Sequence, residues 1–190
     1  MIENRRALAH VGRVKPILLT FTLLGLTLVG CKDSNPVQAR SNPAPPPPPA
    51  PLLFYPYAQT NLQTMKLFVG GQEMVTAVAL QPLERQTGMM WRTNMAEDES
   101  MLFPFPFPHR TSFYMKNTYV PLSAAYIDPD GVIQEIHDLQ PLDESSVQAA
   151  TDNIQYVLEV KQGWFKRHNI TTGTLVRTER GELSRTFSFR

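Results

Sequence analysis

The chain has 190 residues, 18 basic and 17 acidic side chains, a formal charge of +1 and a single cysteine. One cysteine excludes a disulfide within the chain and any zinc site built from several thiolates. A charge this close to balance excludes the basic footprint of a nucleic-acid-binding protein.

In chain order, Arg5, Arg6, Arg13 and Lys15 stand against one acid, Glu3, which is the positive amino-terminal region of a secretory signal. Ile17 to Val29 carries no charge. It has the length of a signal's apolar stretch and falls short of the roughly 20 residues of a spanning helix. The run closes on Leu28-Val29-Gly30-Cys31, which resembles the lipobox of bacterial lipoproteins. That resemblance implies cleavage of residues 1–30 and lipidation of Cys31, which also removes the thiol from catalysis. Lys32 follows the cysteine where inner-membrane lipoproteins commonly have Asp. The expected address is therefore the outer membrane, facing the periplasm, with the membrane as a partner through Cys31. Loss of the signal takes away four basic and one acidic side chain and leaves a net side-chain charge of −2.

Residues 31–61 read as a tether. SNPAPPPPPAP at 41–51 favours a polyproline II rod rising about 3.1 Å per residue, and Tyr55 and Tyr57 are candidates to dock at its end. Residues 62–180 then form one domain with one core, and 181–190 form a tail that pairs weakly or frays.

Within the domain, Met65–Val69 and Glu73–Leu80 are β-rich runs around Gly70-Gly71, a hairpin signal. QPLERQTGMMWR (81–92) places Pro82 at a first helical turn, with Leu83, Thr87, Met90 and Trp91 at helical spacing. Pro104, Pro106 and Pro108 make MLFPFPFP an edge strand or an extended excursion. Residues 111–117, 122–128, 132–139, 154–160 and 175–180 read as strands, with a turn at Asp128–Gly131 and a short helix over 161–169. The class is α+β: a small, mainly antiparallel curled sheet or barrel-like domain with one principal helix and a second short one.

The order Glu84-Arg85-x-x-Gly88-Met89-Met90-x-Arg92, Met101-Leu102-Phe103, Phe113-Tyr114-Met115-Lys116-Asn117-Thr118 and Pro121-Leu122 resembles the domain-of-unknown-function family 192 (DUF192). Tyr156-Val157-Leu158-Glu159, Gly163-Trp164, Ile170 and Gly173 extend the likeness over about 65–178. Met89 stands for Leu, Tyr114 for Trp, Ser100 for Gly and Ser123 for Asp. If that Asp were a base or metal ligand in relatives, Ser123 could not replace it. The resemblance implies a small α+β, mainly antiparallel domain and brings no assigned activity.

The polar constellation that stands out is Lys116 and Asn117, at the end of an aromatic strand, with Arg85 and Arg92 seven residues apart and thus on one helical face. Guanidinium, ammonium and amide groups suit a carboxylate, phosphate or sugar acid. The competing reading pairs Arg85 and Lys116 with Glu84, Glu159 or Asp128 to hold helix to sheet. Met89, Met90, Met95 and Met101 lack a ligand repeat and read as core. Asp128–Gly131 is a turn rather than a calcium loop, because Val132 stands where the third ligand belongs. Adjacent His137 and Asp138 point to opposite strand faces. No metal or other cofactor is expected, and no catalytic residue is assigned.

The reading is a non-enzymatic envelope module that binds an anionic or glycan-like ligand, or an envelope protein, through Arg85, Arg92, Lys116 and Asn117. One alternative is an envelope enzyme acting on glycan or lipid, with Lys116 stabilising developing negative charge. The other is a purely structural interaction protein that docks through the Pro-Phe excursion at 103–108.

Overall fold

The computed structural model describes residues 50–189. The signal, Cys31 and most of the proline tether lie outside the described residues. The core architecture is an eight-stranded sheet. Strands β1 (Thr64–Val69) and β2 (Gln72–Val78) form the expected hairpin, with Val69 opposite Gln72. Gly70 turns the chain at φ 59, a conformation that costs glycine little.

A short helix, α1 (Pro82–Thr87), follows, then β3 (Glu99–His109), β4 (Ser112–Phe113), β5 (Leu122–Ile127) and β6 (Ile133–Leu139). After these come β7 (Val147–Gln148), β8 (Ile154–Lys161), α2 (Trp164–Arg167), β9 (Val176–Thr178), β10 (Gly181–Glu182) and α3 (Leu183–Thr186). The spatial order is β10-β9-β1-β2-β3-β8-β5-β6, and β4 and β7 pair separately. β2 and β3 are parallel; the other pairs are antiparallel.

Two expectations, the small barrel-like sheet and the principal helix, need correction. The sheet is larger than anticipated and does not close into a barrel, although Ile133 N–H donates to the Thr174 carbonyl at 2.9 Å and Val176 N–H to that of Gly131 at 2.8 Å. The domain is thus mostly sheet with a few short helices, and none is long enough to be a principal helix. The prolines of β3 fall where the strand departs from the sheet as the expected excursion: Glu99–Leu102 lies between β2 and β8, Pro104 keeps only Tyr156 of β8 opposite it, and Pro106 and Pro108 have no register partner before His109 meets Ile154. The tail begins by pairing, Gly181 and Glu182 of β10 against β9, and then forms α3, which buries Leu183, while Phe187 beyond it packs 6.1 Å from the Tyr156 ring.

Strand alternation distributes two cores onto opposite faces of the sheet. Leu102, Ala125, Ile127, Leu158 and Val160 pack with Trp164, Phe165 and Leu183. Met101, Phe103, Ala124, Tyr126 and Val157 pack with Met89, Met95, Met115 and Val120 on the other side. β5 is buried at all six positions because both its faces are covered. The second face, roofed by α1 and the 113–120 segment, holds the candidate site.

Candidate functional site

Helix α1 is short for a local reason. Pro82 sits in its first turn, and the Glu84 carboxylate accepts from Leu80 N–H and Gln81 N–H, both at 2.8 Å, as the return arm of a capping box. At the other end Thr87 Oγ1 donates to the Leu83 carbonyl at 2.8 Å, and Gly88 leaves helical space at φ 48. A Cβ at Gly88 would lie 3.3 Å from the Phe103 ring. Trp91, at φ 68, then gives its N–H to the Asn117 carbonyl at 2.7 Å.

This exit separates the predicted constellation. Arg85 and Arg92 do not share a helical face, because the helix ends between them. Arg92 pairs with Glu99 and donates from Nη2 to the Gln59 carbonyl at 2.9 Å. Lys116 lies 3.5 Å from Glu144 at the surface. Lys116 and Asn117 do not close a strand, which stops at Phe113; they sit in a turn where Asn117 takes φ 54 and its amide reaches the Met90 sulfur at 3.9 Å. Neither Arg85 nor Lys116 forms an ion pair with Glu84, Glu159 or Asp128 among the described residues. The Asp128 carboxylate is spent on its own turn, accepting from the N–H groups of Asp130 and Val132 and from Gln134.

Of the four, only Arg85 lines the cavity of about 390 Å³ between α1 and the β3–β4 stretch. Its Nη1 donates to the carbonyls of Leu80 and, at 3.4 Å, Pro104, and its guanidinium rests 5.6 Å from the Phe105 ring centre. Partial burial draws its pKa down, and neighbouring Glu84 pulls the other way. Arg110, which the sequence did not single out, also lines the cavity. Among the described residues neither arginine has a carboxylate within ion-pair distance. Phe103, Phe105 and Phe113 give the cavity apolar walls.

The residue that sequence reasoning placed only as an ion-pair partner is Glu159. It lies on β8 between Met101 of β3 and Ala124 of β5, is 4% exposed, and borders the cavity. Its Oε2 has no hydrogen-bond partner among the described residues. Burial pushes its carboxyl up to about 8, against the downward pull of Arg92. That shift favours the neutral carboxylic acid, a hydrogen-bond donor, over the anion. The signal that could have found it is a lone charge inside the apolar run Tyr156–Val160.

Two departures from the family pattern are accommodated locally. Ser100 and Thr76 hydroxyls share a 2.8 Å hydrogen bond across the parallel pair. Ser123, 1% exposed, donates to Asp138 and accepts from Gly163 N–H at 2.9 Å. It takes part in structure, away from the cavity lining.

No curated protein matches the chain. A crystal structure of a "putative transcription regulator" from Sinorhizobium meliloti 1021 superposes with a TM-score of 0.60 at 29% identity, covering 64% of this chain and 98% of that one. A protein of unknown function from Novosphingobium aromaticivorans DSM 12444 superposes with a TM-score of 0.59, also at 29% identity, covering 68% and 94%. The sequence pattern of DUF192, described as an uncharacterized ACR, matches residues 65–178. That span takes in the sheet from β1 to β9, and the chain belongs to the DUF192 family.

Proposed function

We propose that the chain is a lipid-anchored envelope protein, most simply of the outer membrane facing the periplasm, whose DUF192 domain binds a small anionic ligand with a flat aromatic or sugar-like body. The anchoring rests on the charged start, the apolar stretch and the Leu28–Cys31 motif. The binding reading is carried by one observation: Arg85 and Arg110 line a cavity without carboxylate partners, while nearby Glu84 and Glu99 are committed to the helix cap and to Arg92. With Arg85 Nη1 engaged by the Leu80 and Pro104 carbonyls, its Nε and Nη2 are the donor pair it can offer an anion beside the Phe105 ring.

Binding is preferred to catalysis because Glu159 is the one carboxyl group among the described residues that line the cavity. Glycoside hydrolysis ordinarily takes a pair of carboxyl groups. Docking through the Pro-Phe excursion is less favoured, because Phe103 is buried and Phe105 half-buried, which leaves Phe107 as its exposed ring.

Titration calorimetry of the mature chain in detergent with benzoate and with glucuronate tests the reading. Binding of either, weakened about tenfold or more in the Arg85→Ala/Arg110→Ala double variant, is expected from the loss of charge-assisted hydrogen bonds. Failure of both anions to bind, or equal binding by the double variant, overturns it.

A further inference from the structure

We propose that the Glu159 carboxyl group is the hydrogen-bond donor that sets the specificity of this cavity, selecting anions that carry a neutral oxygen acceptor, a carbonyl or ether oxygen, at the end remote from the charge. The proposal rests on the anion-binding reading above and adds to it what the far end of the ligand must be.

The geometry carries it. Glu159 borders the cavity yet is almost wholly buried, and Oε2 meets no partner among the described residues. Its strand neighbours, Met101 and Ala124, offer it no side-chain hydrogen bond. A buried polar atom left without a partner costs about 1–3 kcal/mol, so a ligand oxygen that satisfies it gains affinity that an apolar ligand end cannot.

Of the charged groups around it, Arg92, on the segment after α1, pairs with Glu99 and the Gln59 carbonyl, while its buried Nε meets no partner among the described residues. Tyr126, on β5, gives its hydroxyl to the Val147 carbonyl at 2.6 Å and is itself pushed up by burial and by Glu159. Arg85, His109, Arg110 and Tyr114 line the cavity on its α1 and β3–β4 sides. Burial holds the Glu159 carboxyl at about 8. That shift favours the O–H form on the acid side of the transition; on the alkaline side a carboxylate would repel both the acceptor oxygen and the anion.

Two shape-matched probes separate the ideas: 4-acetylbenzoate, with a carbonyl opposite its carboxylate, and 4-isopropylbenzoate, without one. Both are titrated into the full mature chain at about pH 6.5 and about pH 9.5, on either side of the Glu159 transition. The acetyl probe is expected to bind about tenfold tighter at the lower pH, one hydrogen bond's worth, and to lose that preference at the higher pH. Glu159→Gln, whose amide keeps an N–H donor, retains the preference at both pH values. Glu159→Leu abolishes it, and the Gln variant alone decides the matter if the Leu variant does not fold. Equal binding of the two probes at both pH values overturns the role of Glu159 and leaves the anion site standing. Binding of neither overturns both.

Discussion

The indole N–H of Trp91 donates to the carbonyl oxygen of Tyr55 at 2.8 Å, and with this bond the end of the tether becomes part of the domain. Tyr55 N–H in turn donates to Thr87 Oγ1 at 2.8 Å, and the Gln59 side-chain amide donates to the carbonyls of Glu84 and Gly88 at 3.0 and 3.1 Å. Residues 55–59 thus strap the carboxyl end of α1, where the Glu84 carbonyl also accepts from Gly88 N–H at 2.9 Å but the Gly88 carbonyl has no backbone donor among the described residues. Gln59 is 5% exposed, so its amide works out of water.

Replacing Gln59 by Ala should therefore cost about 1–3 kcal/mol, the penalty for stranding the buried Gly88 carbonyl. A lowered denaturant midpoint with an unchanged slope is the expected signature. A midpoint equal to wild type would mean that water replaces the amide and the strap is dispensable.

The Glu159 carboxyl couples stability to pH in a direction opposite to that of a salt-bridged acid. Its folded value, about 8, lies above the ordinary 4.5, so between these values the folded state binds more protons than the unfolded one. Stability should fall as pH rises through that window, by up to about 1.4 kcal/mol per unit, and level off above it. Glu159→Gln removes the slope. Thermal melts of both proteins from acid to mildly alkaline pH check this, and parallel curves would show that the carboxyl group ionises freely.

Local chemistry made much of the fold legible and tertiary packing hid much of the site. The Gly70-Gly71 hairpin and strands 133–139 and 154–161 follow from turn residues and alternation within a few positions. The parallel β2–β3 pairing is not written in either strand, since it depends on how the α1 segment crosses between them. Arg85 and Arg92 were read onto one helix because Met90 and Trp91 continue the apolar spacing. The positive φ values at Gly88 and Trp91 break the helix, and apolar spacing does not reveal them. Arg110 carries no local signal; it shares a cavity with Arg85 only through tertiary packing.

Gly88 is the position where a single methyl group should disturb the cavity. It has φ 48, and an added Cβ would press on the Phe103 ring at 3.3 Å. Gly88→Ala should destabilise the domain by more than about 1 kcal/mol and weaken anion binding as the Phe103 wall shifts. Unchanged melting and binding would show that the loop relaxes freely.

Ser123 occupies the position at which the family pattern has Asp, and it contacts Asp138 directly. Ser123→Asp would set a buried carboxyl group, at a position 1% exposed, against the exposed carboxylate of Asp138. Like charges at this range raise one partner's pKa, so the variant should be destabilised at neutral pH and recover as acid protonates one of the pair. A pH series of denaturation midpoints reads this directly. A uniform loss at all pH values would point instead to overpacking.

The anchoring proposal stands or falls on Cys31. If the thiol is the lipid acceptor, Cys31→Ser leaves no site for acylation and blocks the cleavage that depends on it. Such a variant should accumulate with residues 1–30 attached, heavier by the uncleaved signal and lacking acyl chains by intact-mass measurement. With a single apolar stretch of 13 residues from Ile17 to Val29, below the roughly 20 needed to span a bilayer stably, it should extract from membranes more readily than wild type. Wild-type protein should sediment with outer-membrane fractions and resist high salt, because several acyl chains hold far more firmly than charge. Normal cleavage and full membrane retention in Cys31→Ser would remove the lipid anchor from the account, while leaving the cavity and its arginines untouched.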